Sequence, residues 1–244
     1  RTVYCSENPH YAYTWPLADI LPKMKKSKKY KTKFHMKRIL IAIILILSIN
    51  SYSQNKYQKG IYLTFEEILQ NKPSANYNVE LEKRTEGEIK MNGGNDYQLN
   101  ALDKSTNRSQ LKKDVEAYSD GENLYLNCKR LKLYSWYSKV LSDKKYFVFS
   151  GALPENYKDY GIELSELSNM FGAVGGALSG MKLALLRFPY ILDKTNQKLT
   201  LVSSKNINEI FANDKIILEK YNQDLEKNKM ETILKYLAEW NEKQ

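Results

Sequence analysis

Residues that could carry out chemistry are few in this chain of 244 residues, and they are unevenly placed. Both histidines, His10 and His35, stand before residue 54, as does Cys5. The chain from Gln54 onward therefore has no histidine and a single cysteine, Cys128. Histidine-activated nucleophiles, histidine acid–base catalysis and zinc sites of histidine or paired cysteine all need groups that this part lacks. We expect no catalytic residue, no cofactor and no metal site there.

Two spacings imitate known motifs. Ser-x-x-Lys, which can pair a serine nucleophile with a lysine base, occurs at 109–112, 142–145 and 179–182. The companion motifs of such enzymes are absent, and the spacing is close to chance in a chain rich in both residues. Residues 175–183 resemble a phosphate-binding loop, but Met181 interrupts its Gly-Lys pair. Neither pattern predicts a site.

Carboxylates are the remaining candidates for catalysis. The chain has 28 aspartates and glutamates, and after removal of Glu7 and Asp19, which precede Gln54, 26 are left. Glycoside hydrolysis requires only two carboxyl groups that face each other. A carboxylate-based glycoside hydrolase is therefore an alternative that the composition leaves open, although solvated strand and helix faces account for most acidic residues.

Glycines recur at every fourth position in an uncharged stretch, at Gly172, Gly176 and Gly180. Small residues at this spacing allow another backbone to approach closely. The stretch is too short to cross a bilayer, since a spanning helix needs about 20 apolar residues. We interpret it as a Gly-rich apolar segment that packs inside the domain. The alternative is an envelope-associated oligomer assembled through these three glycines.

A short apolar run, 39–49, follows Lys37 and Arg38. It has 11 residues and is too short to span a membrane. Positive residues, a short apolar run and small residues at Ser51 and Ser53 form the pattern of a secretory signal peptide that is cleaved before Gln54. We predict a signal peptide at 36–53; the alternatives are an uncleaved membrane anchor and a buried helix.

Residues 1–35 fit neither a signal peptide nor a domain. The chain begins at Arg1, while Met24 and Met36 both stand where an initiator would make sense. We interpret 1–35 as upstream read-through or an extended leader, with Met24 or Met36 as the true start of translation.

The net charge of +10 belongs mostly to this leader. Ten of the 38 lysines and arginines, but only two of the 28 acids, lie in 1–53, which leaves 28 bases and 26 acids, a net charge of +2. A nearly neutral surface gives no reason to expect a nucleic-acid partner. Membrane contact is expected only through an uncleaved leader or peripherally.

Local patterns predict strands and short helices in the first half of 54–244. Thr64 and Glu67 form a capping pattern for a helix that ends before residue 71. Asp120-Gly121 suits a type I′ turn in a hairpin over 115–127. Alternating apolar residues predict three strands, with a hairpin at Gly93-Gly94 between the second and third: Val79 and Leu81; Ile89 and Met91; Tyr97, Leu99 and Ala101.

The second half changes character. Leu131, Leu133 and the run 146–149 are predicted to continue the sheet, and 183–192 and 199–202 also resemble strands. Helical spacing then predicts three amphipathic helices, at Ile207, Ile210 and Phe211; at Ile217, Tyr221 and Leu225; and at Met230, Ile233, Leu234, Leu237 and Trp240. We predict a single α+β domain over 54–244, an antiparallel, hairpin-rich sheet followed by the Gly-rich segment and amphipathic C-terminal helices.

Cys128 is in phase with Leu124 and Leu126, so we expect a small buried residue, the alternative being a disulfide between two chains. The 14 tyrosines after Gln54, with Trp136, could form a platform for a peptide or glycan. Half-buried positions on strands explain most of them equally well.

Three stretches, 117–127, 60–67 and 192–195, resemble an uncharacterised family of exported proteins from Gram-negative bacteria. The Ser-Tyr-Ser before Gln54 resembles their export sites, and the resemblance covers roughly 55–243. It implies an envelope or secreted location and no known activity. We therefore expect an exported protein, periplasmic, outer-envelope or secreted, that acts as a non-catalytic module for a protein, peptide or glycan ligand or interacts with the envelope.

Overall fold

The computed structural model describes residues 56–75, 77–154, 157 and 180–244. The described residues from Lys56 onward belong to one compact unit, Asn55–Gln244. They contain nine strands, namely β1 (Gly60–Tyr62), β2 (Val79–Lys83), β3 (Tyr97–Ala101), β4 (Ala117–Ser119), β5 (Leu124–Asn127), β6 (Tyr137–Asp143), β7 (Tyr146–Gly151), β8 (Phe188–Asp193) and β9 (Leu199–Leu201). They also contain seven helices, namely α1 (Phe65–Gln70), α2 (Glu86–Asn92), α3 (Arg108–Lys113), α4 (Gly180–Leu185), α5 (Ile207–Ile210), α6 (Lys215–Gln223) and α7 (Met230–Asn241).

All described strand pairs are antiparallel, and the strands form one open sheet in the order β1-β4-β5-β6-β7-β8-β9. The β2–β3 hairpin joins this sheet beside β6, where Tyr97 pairs with Tyr137. β6 has a bulge between Val140 and Ser142, which leaves Leu141 outside the register. The predicted α+β class with an antiparallel sheet is confirmed.

The two faces of β7 and β8 lie in different apolar clusters. Phe147 and Phe149 pack with Leu124 and Leu126 of β5 on one face. Val148 packs on the other face against the C-terminal helices, which bury Ile207, Phe211, Ile217, Tyr221, Ile233, Leu237 and Trp240. A third cluster joins the opposite end of the sheet to α3 and the β2–β3 hairpin. Because successive side chains of a strand point to opposite faces of the sheet, neighbouring residues of β7 belong to different apolar clusters.

The helix predicted after Thr64 is present, and Thr64 Oγ1 accepts a hydrogen bond from the Glu67 amide at 3.2 Å. Asn71, with a φ of 54°, ends it. The β4–β5 hairpin is also present, but a type I′ turn is wrong. Four residues connect its strands, and the Asp120 carboxylate accepts hydrogen bonds from the amides of Glu122 and Asn123, so that side chain shapes the turn.

The predicted strand at Ile89 and Met91 is wrong, because these residues lie in α2. Thr85 and Glu88 form a complete capping box: the Glu88 amide donates to Thr85 Oγ1, and the Thr85 amide donates to the Glu88 carboxylate. Ile89 is buried, whereas Met91 is 86% exposed. Gly93 ends the helix, so Gly93-Gly94 is not the predicted hairpin turn.

Three other predictions differ from the structure. Leu131 and Leu133 lie in the irregular connection between β5 and β6. The run 183–192 begins as helix α4 and becomes strand β8 only at Phe188, because an unbroken apolar run does not distinguish helix from strand. Leu225 follows the end of α6 and is fully exposed. Within the described part of the chain, no helix is long and apolar enough to cross a membrane.

Candidate functional site

A pocket of about 270 Å³ opens beside the turn that connects α2 to β3. Its walls come from this turn, from the β5–β6 connection, from the end of β7 and from α4. The residues that line it are Gly93, Gly94, Tyr134, Ala152, Leu153, Pro154, Tyr157, Leu183 and Ala184.

Glycine is required at the turn. Gly93 and Gly94 have φ values of 62° and 87°, in the region that side chains disfavour. A Cβ atom at Gly94 would lie 2.8 Å from the Ser135 carbonyl oxygen and 3.2 Å from both Arg84 Nη1 and Trp136 Cδ1. The backbone at Gly94 therefore packs directly against the β5–β6 connection, which brings Tyr134 to the same wall.

The guanidinium group of Arg84, a buried residue, holds the Gly93-Gly94 turn through hydrogen bonds. Its Nη1 donates hydrogen bonds to the carbonyl oxygens of Gly93 and Asn95, each at 2.8 Å, and its Nη2 donates to the Glu88 carbonyl oxygen at 3.2 Å. Burial lowers the pKa of Arg84, an effect that the charge of Glu88 opposes. One side chain thus joins α2 and the glycine turn that follows it to Asn95, just before β3.

Asn95 is fully buried and connects the turn to two other walls. Its Nδ2 donates to the carbonyl oxygens of Leu133 at 2.7 Å and Ser135 at 3.1 Å. Its Oδ1 accepts from the Ala152 amide at 2.7 Å and from Ser138 Oγ at 3.3 Å. The side-chain amide therefore uses both donors and its acceptor to hold three segments at fixed separation.

Arg187 ties the turn to α4. Its Nη2 lies 2.7 Å from Asp96 Oδ1 in an ion pair whose arginine is buried and whose aspartate is partly exposed, and its Nε donates to the same oxygen at 2.8 Å. The Nη1 atom donates to the carbonyl oxygens of Ala184 and Leu186, and Nη2 donates to that of Gly94. We call Arg84, Asn95, Asp96 and Arg187 the polar hub. Its hydrogen bonds and ion pair connect the segments that form the walls of the pocket.

The chemistry of the lining is apolar and aromatic. Among the described residues, its only side-chain polar groups are the hydroxyls of Tyr134 and Tyr157. No carboxylate, amine, imidazole or thiol lines the described wall. Nowhere in the described ranges do three or more histidine, cysteine, aspartate or glutamate residues come together as a metal site. The pocket can accommodate an apolar group or a sugar ring, with a hydroxyl at its rim for orientation.

The residues predicted from sequence contribute unequally. Ser51, Ser53, Gln54, Gly172 and Gly176 lie outside the described residues. Gly180 begins α4, the helix that supplies Leu183 and Ala184 to the pocket. Most of the tyrosines considered for a ligand platform are instead in the core: Tyr57, Tyr62, Tyr118, Tyr125, Tyr137, Tyr190, Tyr221 and Tyr236.

Cys128 is buried, as predicted, and its Sγ lies 3.1 Å from Ser138 Oγ. Burial raises the pKa of its thiol to about 12. No sequence pattern predicts the polar hub or Tyr134. The one local signal at this place is the pair Gly93-Gly94, which suggests a hairpin turn and not a pocket.

Comparison with known proteins adds a family but no activity. No curated protein and no solved structure matches the chain. The model of one family, described as a family of unknown function (DUF6563), matches residues 60–244, which include every element of the pocket. The chain therefore belongs to the DUF6563 family of unknown function.

Proposed function

We propose that this chain is an exported, non-catalytic module that binds a peptide or a glycan in the pocket beside Gly93-Gly94. The observation that carries the proposal is the composition of the pocket: two tyrosine rings and aliphatic groups on walls held by the polar hub. A preorganised apolar pocket with few polar groups suits recognition.

The same lining favours binding over hydrolysis. A glycoside hydrolase needs two carboxyl groups about 5 to 9.5 Å apart on either side of the scissile bond. The described wall of the pocket offers none. Tyr134 and Tyr157 instead offer flat rings, against which the apolar face of a sugar or an apolar peptide side chain can pack.

Affinity would come from rigidity as much as from contact area. Tyrosine has only two side-chain torsions to immobilise, and the backbone on which Tyr134 stands is fixed by the Asn95 amide through the neighbouring carbonyls of Leu133 and Ser135. A ligand therefore meets a surface that loses little entropy on binding.

Export is the second part of the proposal and rests on the segment 36–53. Its charged, apolar and small-residue parts follow the order of a secretory signal. Fractionation of cells that express the full chain, with N-terminal sequencing of the product, tests it. We expect a processed protein in the periplasm, outer envelope or medium that begins at Gln54. An unprocessed protein in the cytoplasm would contradict export.

Binding is tested with defined peptide and glycan arrays, followed by titration of the best ligand of each class. We expect Tyr134→Ala and Tyr157→Ala to lower the affinity at least tenfold. Tyr77→Ala is the matched control, because Tyr77 is a half-buried tyrosine in a different cluster. Thermal melting must show that all variants are folded. If Tyr134→Ala, Tyr157→Ala and Tyr77→Ala bind the ligand with equal affinity, the ligand does not bind in this pocket.

A further inference from the structure

A cluster of cations lies over the ring of Trp136 and consists of residues that do not line the pocket. Arg108 and Lys112 are four positions apart on α3, and residues at that spacing lie on the same helix face. Arg108 Cζ lies 4.6 Å and Lys112 Nζ 4.2 Å from the centroid of the Trp136 ring. Because both distances are measured to the same ring centroid, the two cationic groups lie within about 9 Å of each other.

The cluster has an excess of positive charge. Arg84 Cζ is a third cation, 5.9 Å from the ring centroid. Burial lowers the pKa of Lys112, and the charges of Arg108, Lys129 and Arg84 lower it further. The nearby carboxylate of Glu88 interacts electrostatically with Arg84 and Arg108, but it also accepts hydrogen bonds from the amide and the hydroxyl of Thr85. Asp96 and Arg187 also act on Arg84, so two acids stand against five cations: Glu88 and Asp96 against Arg84, Arg108, Lys112, Lys129 and Arg187.

Neither of the two outer cations forms an ion pair with a described carboxylate, and Glu88 acts on Arg108 only through its charge. Arg108 Nη2 donates to Gln98 Oε1 at 3.4 Å, a long contact with a neutral group. Lys112 Nζ contacts the Trp136 ring and forms no ion pair with a described residue. The ring holds both cations in place without neutralising them, because a cation–π contact leaves their outward N–H groups available.

The arrangement selects a ligand by charge and shape. Guanidinium groups bind oxyanions with two parallel N–H donors, and an ammonium group adds a point charge. Two cations held close together match a dianion better than a monoanion. A phosphate monoester carries about −1.5 to −2 charges at pH 7 and presents three acceptor oxygens. A carboxylate or a phosphodiester carries only one charge.

We propose that Arg108 and Lys112, held over Trp136, form a binding site for a phosphate monoester group. The group is supplied either by free phosphate or by a phosphorylated saccharide or lipid headgroup. This site uses none of the residues that line the pocket, so it goes beyond the function proposed above and can fail independently of it.

The test is titration of the full chain with three probes at constant ionic strength. The probes are inorganic phosphate, glucose 6-phosphate, and vesicles of phosphatidylcholine with phosphatidic acid, compared with vesicles of phosphatidylcholine alone. Saturable binding of the first two at one site identifies a free or saccharide phosphate, and binding of the phosphatidic-acid vesicles alone identifies a headgroup. Either result supports the site.

The matched variants are Arg108→Gln, Lys112→Gln and Lys113→Gln. The first two should each weaken binding at least tenfold, whereas Lys113, an exposed neighbour on the same helix, should change it less than twofold. Circular dichroism shows whether Lys112→Gln folds. If it does not, the proposal is tested with Arg108→Gln and with the melting temperature of the wild-type chain, which should be higher in phosphate than in chloride. Absence of saturable binding, equal loss in Lys113→Gln, or tighter binding of single-stranded DNA than of any monoester overturns the proposal.

Discussion

The Ala152 amide donates a 2.7 Å hydrogen bond to Asn95 Oδ1, although the two residues are 57 positions apart. Both are buried, and the bond joins the turn after α2 to the end of β7. Since Asn95 Nδ2 also satisfies two carbonyl groups of the β5–β6 connection, one side chain determines how three walls of the pocket meet.

Replacement of Asn95 should therefore destabilise the folded chain. Asn95→Asp puts an acceptor where Nδ2 donates to the Leu133 and Ser135 carbonyls, and it buries a charge. We expect the free energy of unfolding to fall by about 3 kcal/mol. Urea denaturation measures it, with the exposed Asn92→Asp as control. A loss below about 1 kcal/mol would show that the hub is not structurally important.

The ion pair of Arg187 with Asp96 should depend on the shape of the guanidinium group. Lysine keeps the charge of Arg187 but cannot also reach the carbonyls of Ala184, Leu186 and Gly94. We expect Arg187→Lys to destabilise the fold by about 2 to 4 kcal/mol. The ion pair of Glu116 with Arg130, whose arginine is exposed, is the control, and Arg130→Lys should lower the free energy of unfolding by less than about 1 kcal/mol. Equal effects in thermal denaturation would contradict this account.

At acidic pH, Asp143 should no longer contribute to the free energy of unfolding. Burial opposes ionisation of this carboxyl, but hydrogen bonds from Lys56 and Tyr57 and the charges of Lys56 and Lys194 hold its pKa below the usual value. A lowered pKa in the folded state gives stability that is present above about pH 4, the unfolded value, and is lost as the pH falls through the folded pKa.

We expect Asp143→Asn to be less stable than wild type by about 1 to 2 kcal/mol at pH 7 and to approach it below pH 4. Urea denaturation between pH 2 and pH 7 measures the difference. Tyr57→Phe, which removes one of the hydrogen bonds to Asp143, should show a smaller dependence in the same direction. A difference that does not change with pH would refute the linkage.

Cys128 should be unreactive in the native protein. It is fully buried, and burial raises the pKa of its thiol to about 12, so almost no reactive thiolate is present at pH 8. In the variant Cys5→Ser, we expect no reaction with a thiol-specific disulfide reagent until denaturant is added. Rapid labelling in native buffer would contradict burial of the thiol, whereas a covalent dimer on a non-reducing gel would support a disulfide between chains.

Ile89 and Met91 should respond very differently to truncation, because α2 turns them to opposite sides. Ile89→Ala removes a buried side chain and should cost about 2 to 4 kcal/mol, while Met91→Ala should stay within about 0.5 kcal/mol. A strand would place both residues on one face. Similar losses for the two variants in urea denaturation would favour the strand.

The sequence by itself determined the structural features that depend only on residues close together along the chain. The capping of α1 by Thr64, the β4–β5 hairpin around Gly121 and the burial of Cys128 all follow from spacings of a few residues, and the structure contains each of them. The helix at Ile89 has a local signal as well, the capping pair Thr85 and Glu88, but the alternation of the apolar residues Ile89 and Met91 predicts a strand.

Only the tertiary structure decided the sites. Arg187 meets Asp96 across 91 positions, and Trp136 meets Arg108 and Lys112 only after α3 has packed on the sheet. Such contacts leave no periodicity in the sequence, because hydrogen bonds and cation–π contacts depend on the distance between side chains in the folded chain and not on their separation along it. The sequence therefore determined which chemistries the chain after Gln54 lacks, and the packing of distant segments determined where the pocket and the cation cluster lie.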